Sequence, residues 1–473
     1  MVVSKETPVF FVRPASSATS TIEQDKELKQ RMGAFGVIDA SPSMLRIATP
    51  LIVVSALLGL APVQPASTSS AVADAKTDRI AGRARPHVLV RSVWLEVYSI
   101  VILGLITVSS YFVFKASGDE SLKLNSLANV LTYASGLLTA SVSVLVQVAT
   151  LWTTKSAIDS VEGLLDCEEE TQTMTPARVR TARIWVAVQL LLWATVSVVF
   201  AVHHVFFEVP SQLTQLSFCY RAYSVSRPFM HMSCMQFANQ AHALSLQLTS
   251  INDRLLTMLG PVSAGLTPRT LEMWSRLGDA ANPLRQPPLH PDVEAAALET
   301  TRELRLLHHK MHVIAGYLQS AYGPQMLLVL LSTLLDYTTM LFILLARIEI
   351  DAVGLIIGTT HVLVMYLVLT SGNMVRQEAQ RMGEILQRGL VHRRLSERLV
   401  EELQDFSLQL VRLPTRLSAC GLMYLDYSMI QGAVGTVTTY LVIMLQFPNN
   451  TGGAAKANGT ESTPTYTTEG GRT

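Results

Sequence analysis

Few residues in this chain have the types and spacing that catalysis or metal binding needs. His308 and His312 are separated by one helical turn, a spacing at which two imidazoles can bind Zn²⁺, and His309 lies between them. No acidic residue completes an HExxH pattern. We therefore expect a solvated histidine cluster, with no metal ion and no other cofactor. The sequence also has no glycine-rich phosphate loop and no defensible Ser, His and Asp set, so we do not expect an enzyme.

Polar side chains within long apolar segments are more informative, because such groups are costly in lipid and often mark ligand or ion sites. Asp336 would place a carboxylate in such a segment, with Arg221 or Arg227 as candidate ion-pair partners, and His231 and His361 lie in similar segments. Aromatic and polar groups together suit a small organic ligand, although they also form interfacial belts and bridges between helices. The candidate ligand-binding residues are Trp193, His204, Tyr223, Asp336, Tyr337 and Thr359.

The segment 432–447, GAVGTVTTYLVIMLQF, differs from the other apolar segments in its small and hydroxyl-bearing residues. Small residues allow close packing of helices. A polar stripe that ends at an aromatic ring also suits a water-filled pore with a hydrophobic constriction. One helix cannot enclose a pore, so this interpretation requires a symmetric oligomer. The candidate pore and gate residues are Thr436, Thr439, Tyr440, Ile443, Gln446 and Phe447.

The composition indicates a polytopic membrane protein. Of 473 residues, 49% are hydrophobic and 15% are charged, whereas soluble proteins carry about 25% charged residues. Seven apolar segments approach or exceed the roughly 20 residues that a membrane-spanning helix needs, and backbone groups in lipid must be satisfied within each segment. We predict an all-α fold with seven transmembrane helices at 94–114, 127–152, 184–207, 216–244, 322–346, 350–370 and 427–447. The earlier segment 44–63, interrupted by Pro50, could cross, re-enter or lie in the interface.

Lysine and arginine are concentrated in the connections after the second, fourth and sixth predicted spans. The positive-inside rule then places the N-terminus in the cytoplasm and the C-terminus outside. Sequons at Asn449 and Asn458 lie in the outer tail and are predicted glycosylation sites. The predicted parts are a cytoplasmic tail (1–43), a pre-span segment with a basic linker (44–93), four spans (94–250), a cytoplasmic linker with a Pro-rich segment (251–320), two spans (321–371), a cytoplasmic anchor region (372–426), the pore helix (427–447) and an extracellular tail (448–473).

Within the anchor region, residues 374–412 are predicted to form one amphipathic helix. Leu399, Leu403 and Phe406 recur at helical spacing, and Arg398 and Glu402 are spaced for an i, i+4 ion pair. The apolar face could pack against its own subunit or join neighbouring subunits.

The string Thr439-Tyr440, five apolar residues and Gln446-Phe447 resembles the C-terminal signature of the insect gustatory receptors. Residues 405–430 are similar to that family's approach to the seventh span. Asn252 and Leu255 match an Asn-x-x-Leu string at the inner end of its fourth span. The stretch LLGLAPV at 57–63 resembles a GL-x-P element before the first span, and this favours a segment 44–63 that does not cross.

This resemblance implies a ligand-gated, non-selective cation channel of four subunits. Four copies of the last helix would line the pore, with Gln446 and Phe447 at the gate, and a small-molecule tastant would bind in the outer half of the other helices. The implied location is the plasma membrane of a sensory neuron, at its dendrite, soma or axon. The partners would be the bilayer and identical or related receptor subunits, with no nucleic acid.

We expect bitter or broadly tuned ligands. The alternatives are a sugar, heat or light receptor of the same family, or a seven-helix G-protein-coupled receptor. The last of these would require the opposite topology.

Overall fold

The structure is a computed structural model that describes residues 43–58, 60, 63–65, 89–121, 127–171, 175–206, 226–263, 291–345, 352–391 and 395–446. Nine helices and two antiparallel strand pairs lie in these ranges. The helices are α1 (Ser43–Leu57), α2 (Val93–Ser121), α3 (Leu127–Thr171), α4 (Pro176–Phe206), α5 (Ser226–Ser263), α6 (Pro291–Leu345), α7 (Ala352–Val391), α8 (Glu397–Arg412) and α9 (Ser428–Gln446). Strand β1 (Val63–Pro65) pairs with β2 (Leu89–Arg91), and β3 (Ser418–Ala419) pairs with β4 (Met423–Tyr424).

The described part of each of the seven predicted spans falls on a helix, and the prediction of an all-α protein is confirmed. Five stretches of the described residues contain a segment long and apolar enough to cross a membrane: Val93–Tyr111, Leu137–Glu168, Pro176–Val199, Glu294–Phe342 and Ser428–Gln446. In Glu294–Phe342, residues 322–342 coincide with the fifth predicted span, and 294–320 belong to the predicted linker. The fourth and sixth predicted spans lie on α5 and α7, which carry more polar residues. Many of those residues, such as Ser233, Gln236 and Asn373, are buried against neighbouring helices rather than exposed to lipid.

Helix α1 is too short to cross the hydrocarbon region by itself. Its 15 residues extend for about 22 Å at the helical rise, against roughly 30 Å of hydrocarbon. It packs on α3, α4 and α5, and the Tyr98 hydroxyl of α2 donates to the Leu57 carbonyl at 2.7 Å. The β1–β2 hairpin then pairs Val63 with Arg91, directly before α2.

Helices α3, α5, α6 and α7 form the centre of the bundle. One hydrophobic cluster runs through all four and includes fully buried Phe237, Leu248, Met311 and Leu386. Helices α2 and α4 lie outside this centre and leave large apolar side chains such as Val101 and Leu191 exposed. Exposed apolar side chains on the spans are what a bilayer solvent would cover.

The prediction of a single helix over 374–412 is wrong, because this region contains the end of one helix and the whole of a second. Helix α7 ends at Val391, and α8 begins at Glu397 after Ser396, whose hydroxyl accepts a hydrogen bond from the Leu399 amide at 3.3 Å. This serine is an N-cap, which satisfies a free amide at the helix start. The apolar spacing of α8 is as predicted, and Leu399, Leu403 and Phe406 are buried.

Helix α8 packs against α6 and α7 of the same subunit. Its Glu402 forms ion pairs with Arg302 at 3.3 Å and with Arg305 at 3.0 Å, both on α6, in place of the predicted pair with Arg398.

Long helices also occupy both ends of the predicted 251–320 linker. Helix α5 continues to Ser263 and α6 begins at Pro291, so the described part of this linker is helical and 264–290 lie outside the described residues. Fully buried Asn252 ties α5 to α7, because its amide donates to the Glu378 carbonyl at 2.9 Å and to the Glu378 carboxylate at 2.8 Å.

The β3–β4 hairpin, which leads into α9, is seated against glycines of α6 and α7. A Cβ added to Gly372 would lie 1.8 Å from the Leu425 carbonyl oxygen, and one added to Gly323 would lie 3.2 Å from the Cys420 amide nitrogen. The hairpin turns at Cys420 and Gly421, whose φ angles of 53° and 71° are in the left-handed region. The glycines therefore allow backbone to approach backbone at the base of α9.

Polar contacts hold the first residues of α9 in this seat. The Asp426 carboxylate accepts from the Ser428 amide at 2.9 Å and from Arg376 of α7 at 3.0 Å. The Tyr427 hydroxyl lies 3.0 Å from that of Thr370 on α7. Burial alone would raise the pKa of Asp426, but the Ser428 and Arg376 donors lower this pKa below its ordinary value. The carboxylate therefore stays ionised and paired with Arg376 at neutral pH.

We predict that Gly372→Ala lowers the melting temperature of the purified protein. The new methyl group would overlap the Leu425 carbonyl, and overpacking of this kind costs about 1–3 kcal/mol.

Gly383→Ala is the matched control, since it lies on the same helix with no atom within 4 Å of the added Cβ. This change should be neutral or raise the melting temperature, because alanine favours helix over glycine. Equal melting temperatures for the two variants would show that the hairpin is not seated on Gly372.

Candidate functional site

A buried polar centre joins four helices near the α6–α7 connection. Asp336 of α6 accepts a hydrogen bond from the Thr139 hydroxyl of α3 at 3.0 Å. His361 of α7 lies beside it, with 3.9 Å between its Nδ1 atom and the Asp336 Oδ2 atom. The ring of His231, on α5, meets the His361 ring edge to face at 5.7 Å between centroids. All four residues are buried.

A carboxyl group in this position is costly unless polar partners surround it. The four helices that bring these partners together are also the four that form the hydrophobic core, so the geometry of the centre is fixed by core packing. Polar groups inside transmembrane segments commonly mark sites of ligand or ion interaction. This centre is able to accept a hydrogen bond or a positive charge from a bound molecule.

The structure places the predicted ligand residues in different surroundings. Trp193 is half-buried and donates from its indole nitrogen to the Pro228 carbonyl at 3.0 Å, one helical turn before His231. Tyr337 is half-buried and Thr359 is exposed. Of the predicted set, Asp336 alone is part of the buried centre among the described residues. The side chains of His204, Tyr223, Arg221 and Arg227 lie outside the description.

Thr139 is the member of the centre that the sequence analysis missed. Its hydroxyl also donates to the Ser135 carbonyl at 2.9 Å, one turn earlier in α3. Such a bond is available to any threonine in a helix, so nothing in the sequence distinguishes Thr139 from the other threonines of α3.

The predicted pore helix is nearly bare within the single subunit. In the 19 described residues of α9, Val437 alone is buried. The predicted residues Thr436, Thr439, Tyr440, Ile443 and Gln446 are all exposed. Phe447, Asn449 and Asn458 lie outside the described residues.

The small residues of α9 do not pack against their own subunit. A Cβ added to Gly432 or Gly435 would meet no atom within 4 Å. The hydroxyls of Thr436 and Thr439 donate to the carbonyls of Gly432 and Gly435, each at 2.9 Å. These bonds satisfy the hydroxyl donors while leaving their oxygens available as acceptors. Close packing within the subunit therefore does not account for the small-residue stripe.

The prediction of a solvated histidine cluster is wrong for His308, which is fully buried. Its Nδ1 atom lies 3.2 Å from the Gln409 amide nitrogen and its Nε2 atom 3.3 Å from the Thr415 hydroxyl, so it joins α6 to α8 and to the following loop. Burial, followed by the nearby His312 and His309, lowers the pKa of His308 to about 4. No group of three potential metal ligands occurs among the described residues.

We predict that His308 makes the protein less stable as the pH falls from about 6.5 towards about 4. Over this range an unfolded histidine binds a proton and folded His308 does not, so acid favours the unfolded state. The measurement is the melting temperature against pH for the wild type, His308→Gln and the exposed-site control His309→Gln. The slope should flatten for His308→Gln alone, and identical slopes for all three would contradict the prediction.

Comparison with known proteins supports this architecture. The family profile described as 7tm Chemosensory receptor matches residues 48–448. A gustatory receptor of Drosophila melanogaster, 28b, is 30% identical over 99 residues, and this match covers 21% of both chains.

Two solved structures of the insect olfactory receptor OR5 from Machilis hrabei have a similar fold. The first aligns with a TM-score of 0.57 and 11% identity over 85% of this chain and 98% of the OR5 chain. The second, in complex with eugenol, aligns with a TM-score of 0.56 and 12% identity over 86% and 99%. The prediction of a polytopic seven-span fold is thereby confirmed. The chain belongs to the 7tm chemosensory receptor family, and it is a receptor of that family rather than an enzyme.

Proposed function

We propose that this protein is a tastant-gated, non-selective cation channel. It would act in the plasma membrane of chemosensory neurons as a homotetramer or with related subunits. The observation that carries the proposal is the exposure of α9 within one subunit. An exposed helix with a stripe of hydroxyl and amide groups must be surrounded either by lipid or by other subunits. Only an assembly of subunits would let this polar stripe line a water-filled pore.

Apolar exposure outside the predicted spans supports assembly. Val411 at the end of α8 is 76% exposed, Leu422 in the β3–β4 turn is 74% exposed, and Tyr424 is 53% exposed. Lipid would not cover these residues in the proposed cytoplasmic anchor region. Exposed apolar residues outside lipid are typical of protein–protein contacts, and the position of Leu422 and Tyr424 before α9 suits neighbouring subunits that share a pore.

The route from the polar centre to the pore would follow α6 and α7. Both helices carry a member of the centre, Asp336 and His361, and both seat the β3–β4 hairpin, through Gly323 and Gly372. A ligand that binds more tightly to one arrangement of α6 and α7 would shift the population of α9 positions. The backbone contacts at the two glycines leave little room for the helices to move without the hairpin.

The ligand that this centre fits best carries a hydrogen-bond donor or a basic nitrogen. Asp336 is a buried acceptor, and charge-assisted hydrogen bonds to a carboxylate are among the strongest polar contacts. The OR5 structure in complex with eugenol supports a small organic ligand for this fold. A basic, largely apolar ligand would be consistent with a bitter or broadly tuned receptor. The proposed topology places the C-terminus outside the cell.

The pore proposal is tested by cysteine accessibility in a Cys420→Ser background, with a cationic thiol reagent applied to cells that express the receptor. Thr436→Cys and Thr439→Cys should be modified and the agonist current blocked. Thr438→Cys is the matched control, because Thr438 is an exposed threonine with the same type of backbone bond but lies about 160° around the helix from Thr436. Block through Thr438→Cys alone, or no agonist current from the expressed wild type, would contradict the proposal.

The ligand proposal predicts that Asp336→Asn weakens activation by amine agonists. Loss of a charged hydrogen bond should raise the half-maximal concentration roughly ten- to a hundredfold. Asp253→Asn is the control, since this carboxylate pairs with Arg178 and is 46% exposed. Surface labelling establishes equal delivery. An unchanged response of Asp336→Asn to amines, at equal delivery, would remove the polar centre from ligand binding.

A further inference from the structure

A cavity of about 140 Å³ lies between α1, α3, α4, α5 and α6, and Asp336 is not among its lining residues. Gln325, which lines it, precedes Asp336 by eleven residues on α6. The two residues are therefore about 16 Å apart along the helix. The cavity is a separate place from the polar centre.

The walls of this cavity are mainly apolar. Leu51 of α1, Val161 and Leu164 of α3, and Val186 of α4 contribute aliphatic surface. No aspartate, glutamate, lysine or arginine lines it among the described residues. An ion would lose its hydration here without gaining a charged partner, so the walls favour a neutral molecule.

One edge of the cavity is polar and already ordered. The Gln240 amide donates to the Tyr322 hydroxyl at 2.9 Å and accepts from Ser160 at 2.6 Å. The Thr153 hydroxyl donates to the Ala321 carbonyl at 2.8 Å. These contacts fix α3, α5 and α6 relative to one another, so a bound molecule would meet a rigid edge.

Three buried polar atoms at the cavity have no hydrogen-bond partner among the described residues, and one of them is the Nδ1 atom of His242. The other two are the Oε1 atom of Gln325, a residue that is 1% exposed, and the hydroxyl oxygen of Ser55, which is 0% exposed. The Gln325 amide nitrogen donates to the Ala321 carbonyl at 3.1 Å, and this fixes the amide orientation. Leaving a buried acceptor unsatisfied is energetically unfavourable. A molecule that donates to Gln325 would recover this energy.

We propose that this cavity is a second binding site, for a small neutral organic molecule with a hydroxyl group. The hydroxyl would donate to the Gln325 Oε1 atom and accept from Ser55, while an apolar body lies against the aliphatic walls. A cavity of roughly 150 Å³ accommodates a molecule the size of benzene. The site lies beside the short helix α1, and the proposal does not depend on channel activity.

The experiment measures binding of 4-fluorobenzyl alcohol to the full-length receptor in lipid nanodiscs by fluorine NMR, with receptor-free nanodiscs as the partition control. The variants are Gln325→Met, which keeps the side-chain size, Ser55→Ala, and Ala157→Phe, which fills the cavity. Gln387→Met, at an exposed glutamine of α7, is the matched control, and Asp336→Asn reports on the polar centre. Melting temperatures establish that each variant folds.

The wild type, Gln387→Met and Asp336→Asn should bind the alcohol saturably, and Gln325→Met should bind it roughly tenfold more weakly. 4-Fluorotoluene, which lacks the hydroxyl, should bind the wild type more weakly than the alcohol does. If Gln325→Met does not fold, binding of the alcohol by Ser55→Ala is the test: weaker binding than the wild type supports the proposal, and unchanged binding overturns it. No binding above receptor-free nanodiscs, which would mean that water alone fills the site, overturns the proposal. Equal binding by every variant, or loss of binding in Asp336→Asn, also overturns it.

Discussion

The contact between backbone and glycine at the base of α9 is the constraint on which the rest of the architecture depends. Leu425 lies so close to Gly372 that no side chain fits between α7 and the hairpin. Because the hairpin is also paired within itself and bonded to α6 through Ser418 and Gln319 at 2.6 Å, α9 has a defined starting point and direction. Without that seat, a helix with a single buried residue would have no fixed position.

Polar side chains in the interior serve two different purposes. Networks such as Ser160, Gln240 and Tyr322 satisfy their members and join helices. Hydrogen bonds of this kind specify a unique arrangement where apolar packing alone would allow several. The amide oxygen of Gln325 is different, because it has no hydrogen-bond partner among the described residues and lies at a cavity.

Features that arise from a repeating pattern of apolar residues could be predicted from the sequence. Apolar length predicted helices at seven places, each of which is helical in its described part, and the spacing of Leu399, Leu403 and Phe406 correctly identified the buried face of α8. The same spacing concealed the break before Glu397, because a periodic pattern can continue across a short interruption. The partners of Asp336 and Glu402 lie on other helices, so the choice among candidate partners needs the three-dimensional packing. His308 was misjudged for the same reason, since its burial depends on α8.

The isolation of α9 has a consequence for biosynthesis. The helices that form the core all precede α9 in the chain, so they leave the ribosome and enter the membrane first. Their packing buries almost no surface of α9, and the subunit can therefore reach a nearly complete state before its last helix is inserted. Quality control of this receptor would then monitor two separate events. The first is the packing of the core helices, and the second is the later burial of the exposed surface of α9.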